Sequence, residues 1–380
     1  MRKIIALAAL AGIASPALAA PLQFEKQKIG NVIYEACSVF DADKDGHLDI
    51  FTGEYWFAGP DFTTAHKVKD IHRVDDYYDD FSNYPMDVNG DGYLDIITGG
   101  WWNQTMCWRE NPKVPGQEWK THIVAQVGNI ERNCFYDIDR DGTPEVFSTT
   151  KPVHFFQLQR HGGKGTGEFK QFTIEEGGGG HGFGFGDING DGRTDLIYAS
   201  GWHEAPQDPF DVAGYVWHPD WNFGMASVPI LVYDVNGDKR NDLIVGQGHD
   251  YGLAWYEQGK DVDGNRTWTK HDIETQKSQF HEMQLADIDN DGEPELITGK
   301  RYRAHNGNDP GAADPLGLYY YNLNGGAFER VVVDYGPAET ASGTGIYMWI
   351  EDVDGNGWKD LIAPGKQGMY LFKNMGPAKD

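Results

Sequence analysis

Asp187-Ile188-Asn189-Gly190-Asp191-Gly192-Arg193-Thr194-Asp195 decides how this chain is read. Carboxylate or amide oxygens stand at positions 1, 3 and 5, a glycine at 6 and an acid at 9. Alternate side chains of such a loop converge on a hard cation, and the glycine permits the sharp turn, as at the front of an EF-hand loop. The unit occurs seven times. The other copies begin at Asp41 (DADKDGHLD), Asp87 (DVNGDGYLD), Asp137 (DIDRDGTPE), Asp234 (DVNGDKRND), Asp287 (DIDNDGEPE) and Asp352 (DVDGNGWKD), at start-to-start spacings of 46 to 65 residues. A period near 50 is the mark of a repeat architecture.

Each loop lies between short apolar runs, such as Phe183 to Ile188 before it and Leu196 to Ala199 after it. Their length and β-branched content predict strands. A third run follows in several repeats (Gly252 to Tyr256), then a fourth of alternating charge (Trp119 to Val124, Trp268 to Ile273). Four antiparallel strands per ~45 residues predict a propeller blade. The fold expected is therefore all-β, a seven-bladed β-propeller with DxDxDGxxD calcium loops. The chain ends on a third-type strand, Gly368 to Lys373, and after processing begins with a fourth-type strand, Leu22 to Ile29. Closure of the last blade by the N-terminal strand is expected, since it removes open sheet edges.

The calcium ligands expected are Asp41, Asp43, Asp45 and Asp49; Asp87, Asn89, Asp91 and Asp95; Asp137, Asp139, Asp141 and Glu145; Asp187, Asn189, Asp191 and Asp195; Asp234, Asn236, Asp238 and Asp242; Asp287, Asp289, Asp291 and Glu295; and Asp352, Asp354, Asn356 and Asp360. Lys239 replaces the glycine of the fifth loop, and Asn356 replaces an aspartate of the seventh. The repeats resemble the FG-GAP/VCBS family, whose blades carry such calcium loops.

Residues 1–19 read as a secretory signal peptide: a basic start at Met1-Arg2-Lys3, an apolar core and an Ala17-Leu18-Ala19 cleavage site. Residues 20–380 then form one propeller domain, periplasmic or secreted, with no other apolar stretch long enough to span a membrane. The net charge of -26 argues against nucleic acid and anionic membranes as partners. Cys37, Cys107 and Cys134 are an odd number for an oxidising compartment. Buried free thiols are favoured, and a Cys37–Cys134 bridge would skip a blade.

Aligning the repeats on the first Asp turns the period into a ruler. Six residues earlier stand Glu35, Phe81, Glu131, His181, Val228, His281 and Ile346. First strands of a propeller line its channel, so two glutamates and two histidines are expected near the axis. Beyond position 9 come Tyr55 and Trp56, Trp101 and Trp102, Trp202 and His203, His249, Lys300 and Arg301. A purely structural repeat would place the same residue in each slot. Aromatic faces beside a polar cluster suit a carbohydrate partner. His181, His249 and His281 are the candidate ligands of zinc or another divalent metal at the channel mouth. His122 and His271 share a fourth-strand slot and read as structural.

The segments HGFGFGDINGDGRTD (181–195), GWHEAP (201–206), GHDYGLAWYE (248–257), SQFHEMQLADIDNDGEPELITGKR (278–301) and RAHNGNDP (303–310) resemble propellers related to the N-terminal domain of aldos-2-ulose dehydratase. That resemblance implies a lyase performing β-elimination on a keto-sugar or keto-glycoside. His203 or His305 would be the base, Lys300 and Arg301 the enolate stabilisers, and Tyr251 or Tyr302 the acid. A non-catalytic calcium-binding propeller for carbohydrate or protein is the alternative, and a uronate polysaccharide lyase the third.

Overall fold

The computed structural model describes residues 21–378 apart from Val228. The signal-peptide reading of residues 1–19 and the Val228 slot lie outside those residues. Seven four-stranded antiparallel sheets follow one another along the chain. Blade 4 is representative: Phe183–Gly186, Asp195–Tyr198, Gly201–Glu204 and Val216–His218, each paired with the next. The acidic loop joins the first strand to the second. Innermost strands touch those of neighbouring blades, and Ser38–Phe40 of blade 1 also contacts Trp349–Glu351 of blade 7. The molecule is an all-β seven-bladed propeller. In blade 7 the outer strand is Leu22–Lys28, which pairs with Tyr370–Pro377 from Leu22↔Pro377 to Lys28↔Tyr370.

The apolar core lies mostly between blades. Ile188, Ile197 and Trp202 of blade 4 pack with Leu243 and Val245 of blade 5. Blades 3 and 4 share a run of rings, with Phe147 4.9 Å from Phe185 and 5.9 Å from Phe183. Separations of 4.5–7 Å are those at which aromatic pairs add to simple burial.

The acid at position 9 does more than the spacing discloses. Asp49, Asp95, Glu145, Asp195, Asp242, Glu295 and Asp360 each open the second strand and are buried. In blade 4, Asp195 accepts the Ile188 N–H across the loop and the Ala205 N–H from the third strand, both at 2.9 Å. All five aspartates at this position accept two such backbone N–H groups, one per oxygen. In blades 2, 5 and 7 the residue donating the second bond also reaches the preceding blade. Asn111 Nδ2 bonds the Ala42 carbonyl, Gln258 Nε2 the Ile188 carbonyl and Asn374 Nδ2 the Ile288 carbonyl, at 2.8 to 3.1 Å. A buried carboxylate thus ties loop, strand and neighbour together, which is why an acid recurs there.

Position 6 takes a left-handed backbone in every loop, with φ from 84° to 95° at the glycines. Lys239 holds the same turn at φ 70°, and its N–H still meets Asp234 Oδ2 at 2.8 Å. The substitution keeps the loop's shape at the cost of a side chain in a region that suits glycine.

Candidate functional site

Strand direction puts the acidic loops at one face of the ring and the residues preceding each first strand at the other. There the six-residue slot converges. Glu131 Oε1 lies 3.0 Å from His281 Nε2, and Glu131 Oε2 lies 3.5 Å from His181 Nε2. The His249 ring sits 4.8 Å from that of His181 and 5.3 Å from that of His281. One nitrogen or oxygen from each of Glu131, His181, His249 and His281 falls within 4.8 Å of all the others.

Local structure explains each placement. The pairing Phe280↔Lys300, Glu282↔Gly299 skips His281, and this bulge turns its ring toward the channel. His249 rides the turn between Asp242–Gly246 and Tyr251–Lys260. Gly248 in that turn lets it close on blade 6, because a Cβ there would meet Ser227 at 2.5 Å and His281 at 3.1 Å. His181 and Glu131 lie just ahead of the first strands of blades 4 and 3.

The polar balance of the cluster is unusual. His181 Nδ1, His249 Nε2 and both nitrogens of His281 are buried without a hydrogen-bond partner. The 3.0 Å approach of His281 to Glu131 lacks hydrogen-bond direction. Burial holds His281 well below its usual pKa and lowers His249 to about 4, so both rings are neutral with free lone pairs. Unpaired buried polar atoms carry a large desolvation cost. Neutral imidazoles with one carboxylate are a donor set that suits zinc or a similar divalent ion.

Arg301 supports this set from behind. Its Nε and Nη2 donate to Glu35 at 2.8 and 3.2 Å, and its Nη1 donates to Glu131 at 3.2 Å. Burial pushes the Glu35 pKa up, but Arg301 and Lys366 override it and hold the carboxylate below its ordinary range. Glu131 is also held well below that range: burial opposes, and the groups around it, the Arg301 guanidinium among them, prevail. Lys366, lowered to about 8 by burial, sits 3.4 Å from the centroid of the Tyr77 ring.

Above the cluster opens a cleft of about 330 Å³ lined by Tyr77, Phe81, Trp101, Trp102, Glu131, His181, Arg301, His305 and Asn306. Trp102 lies 5.5 Å from Tyr77 and 5.9 Å from Phe81, forming one aromatic wall. Tyr77 belongs to a hairpin, Arg73–Val74 with Tyr77–Tyr78, inserted before blade 2. Nothing in the repeat pointed to it.

Of the expected catalytic side chains, His305 lines the cleft, whereas Arg301 has its donors committed to glutamates and does not present them to a ligand. Lys300 turns away, bonding Ser278 Oγ at 3.3 Å and the Gly311 carbonyl. Tyr251 meets Asp314 at 2.7 Å, and Tyr302 borders a separate surface pocket with Ala312 and Glu339. His203 is buried against Tyr198 and Trp217 and bonds the Glu176 carbonyl. These four are not brought to the cluster: Lys300 and Tyr251 bond Gly311 and Asp314 of the blade 6 insertion, Tyr302 stands on that insertion, and His203 is packed against the rings of blade 4. The three cysteines are free and buried.

The acidic loops gather their own carboxylates. Asp41, Asp43 and Asp45 form one group, Asp137, Asp139 and Glu145 a second, and Asp287, Asp289 and Asp291 a third. No helix among the described residues is long and apolar enough to cross a membrane.

The FG-GAP-like repeat model matches residues 87–148, 137–198 and 234–298. The chain carries FG-GAP-like repeats. No curated protein matches it in sequence. Among solved structures, its fold is similar to the crystal structure of BBS1N in complex with ARL6DN, soaked with lead. Identity is 12%, 94% of this chain and 98% of that one are covered, and the TM-score is 0.53. The V. cholerae biofilm matrix protein Bap1 matches at 16% identity and a TM-score of 0.33, over 87% of this chain and 45% of that one. This chain thus spans less than half of Bap1. At such identities the likeness concerns fold alone.

Proposed function

We propose that this FG-GAP-repeat propeller is a carbohydrate-active lyase that performs metal-assisted β-elimination on a keto-sugar or keto-glycoside. The observation that carries the reading is the group of unpartnered, buried imidazole nitrogens with Glu131 at the foot of an aromatic-walled cleft. The resemblance of residues 181–195, 201–206, 248–257, 278–301 and 303–310 to propellers related to aldos-2-ulose dehydratase is a second support. Calcium at the acidic loops and a periplasmic or secreted location belong to the same proposal.

Glu131, His181, His249 and His281 would hold a divalent ion, which supplies Lewis-acid polarisation of the substrate ketone. The chain's own groups do the rest. The sugar's apolar face lies against Trp101 and Trp102. The His305 imidazole takes the proton α to the ketone, and the C–H electron pair becomes the enolate. Collapse of the enolate expels the β-oxygen, which leaves as water or an alcohol carrying the proton that His305 took, so the imidazole returns to its neutral form. An enone remains. Arg301 keeps Glu131 ionised and in place.

Incubation with keto-glycosides tests this by ultraviolet absorbance. The wild type accumulates an enone, and His281→Ala does not. A second reading has its own support in the cleft, since an aromatic wall also serves a non-catalytic carbohydrate binder. Calorimetric binding of the same sugars by the wild type without any enone would contradict the lyase and establish the binder.

A further inference from the structure

Asp309 lies on the insertion between the second and third strands of blade 6, outside the repeat. Its two oxygens serve two imidazoles: Oδ2 is 2.7 Å from His249 Nδ1, and Oδ1 is 2.8 Å from His305 Nδ1. The two rings are stacked with centroids 4.2 Å apart and planes 19° from parallel. An ionised carboxylate only accepts, so both Nδ1 atoms must carry hydrogen. In a neutral ring the other nitrogen, Nε2, is then the lone-pair atom. His249 Nε2 is buried and unpartnered beside Glu131, His181 and His281. His305 lines the cleft.

The insertion is held to present them. Arg303 pairs with Asp76 of the inserted hairpin at 2.8 Å, and Lys366 Nζ donates to the Arg303 carbonyl at 2.9 Å. Arg303, His305 and Asn306 all adopt left-handed backbones, with φ of 53°, 46° and 57°. Non-glycine residues persist there only when their surroundings fix them.

We propose that Asp309 is a positioning residue that locks His249 and His305 into the Nδ1–H tautomer together. One lone pair is thereby aimed at the ion position and the other is available to the substrate. The use of the two lone pairs rests on the function proposed above, whereas the tautomers rest on the hydrogen bonds alone. A single acceptor shared by a metal ligand and a base couples the two steps: neither ring can change tautomer without disturbing the other's partner.

The test is made on full-length, metal-free protein labelled with 15N-histidine at pH 7.5. Two-bond proton–nitrogen spectra report the tautomer, with signals assigned by their loss in His249→Ala and His305→Ala. In the wild type both rings are Nδ1–H. In Asp309→Asn the side chain offers one acceptor and one donor, so one ring switches to Nε2–H. Zinc affinity falls roughly 10–100-fold in that variant, the usual effect of losing such a partner. Asp309→Glu, which keeps two acceptors, recovers part of it. Both rings unchanged in Asp309→Asn, or an Nε2–H ring in the wild type, would overturn the proposal. So would a second zinc ion lost with Asp309, which would make it a ligand. Wild-type protein that binds no zinc but shows the stated tautomers would sink the metal and leave the Asp309 inference standing.

Discussion

Two sets of histidines in this molecule differ in what surrounds them. His66, His122, His218 and His271 lie on fourth strands, each directly opposite a third-strand tryptophan: Trp56, Trp108, Trp202 and Trp255. Their rings stack at 4.1 to 4.4 Å. Three of them also meet a glutamate, Glu110, Glu204 or Glu257, at 2.7 to 3.0 Å. None of these rings leaves a nitrogen buried without a partner. His181, His249 and His281 have the opposite character: they stand in slots whose residue changes from blade to blade, approach one another, and leave buried nitrogens unsatisfied. Residues that repeat with the blade serve the blade. Residues that break the repeat and carry unmet polar demand are the ones to read for function.

The largest effect expected concerns the support of the second set. Arg301→Met leaves Glu35 and Glu131 buried with their principal cation gone, and breaking a buried pair in this way costs about 3–5 kcal/mol. Urea unfolding should show a loss of that size. A loss under about 1 kcal/mol would mean that the mouth is not organised around this ion pair. The smallest effect concerns a break in the repeat that has no unmet polar demand. Lys239→Gly restores the residue type that the turn favours, and unfolding should show a gain of about 0.5–1 kcal/mol. A destabilised variant would mean that the lysine side chain itself holds something in blade 5.

The seven loops made the blade count legible, because a nine-residue motif at a period near 50 permits few architectures. The same ruler brought Glu35, Glu131, His181 and His281 to one slot, and the structure places all four at the channel mouth. His249 was legible from its place just after the second strand. Tyr77 and Asp309 were not, since both stand on insertions that the ruler passes over. His203 misled for a physical reason: its slot follows a second strand as His249's does, but its ring turns inward between blades, where Tyr198 and a carbonyl satisfy it. Position 9 was read as a cation ligand from spacing alone, and its backbone bonds emerge only once the second and third strands are paired.

The proposed metal site rests on unmet polar demand at the channel mouth. Elemental analysis of purified protein after exposure to zinc and desalting tests it most directly. The wild type should retain one zinc per chain at the mouth, and His281→Ala none. His271→Ala should retain it fully while losing only about 1 kcal/mol of stability from its tryptophan stack. Absence of zinc from the wild type, or equal loss in the two variants, would contradict a metal site at the mouth.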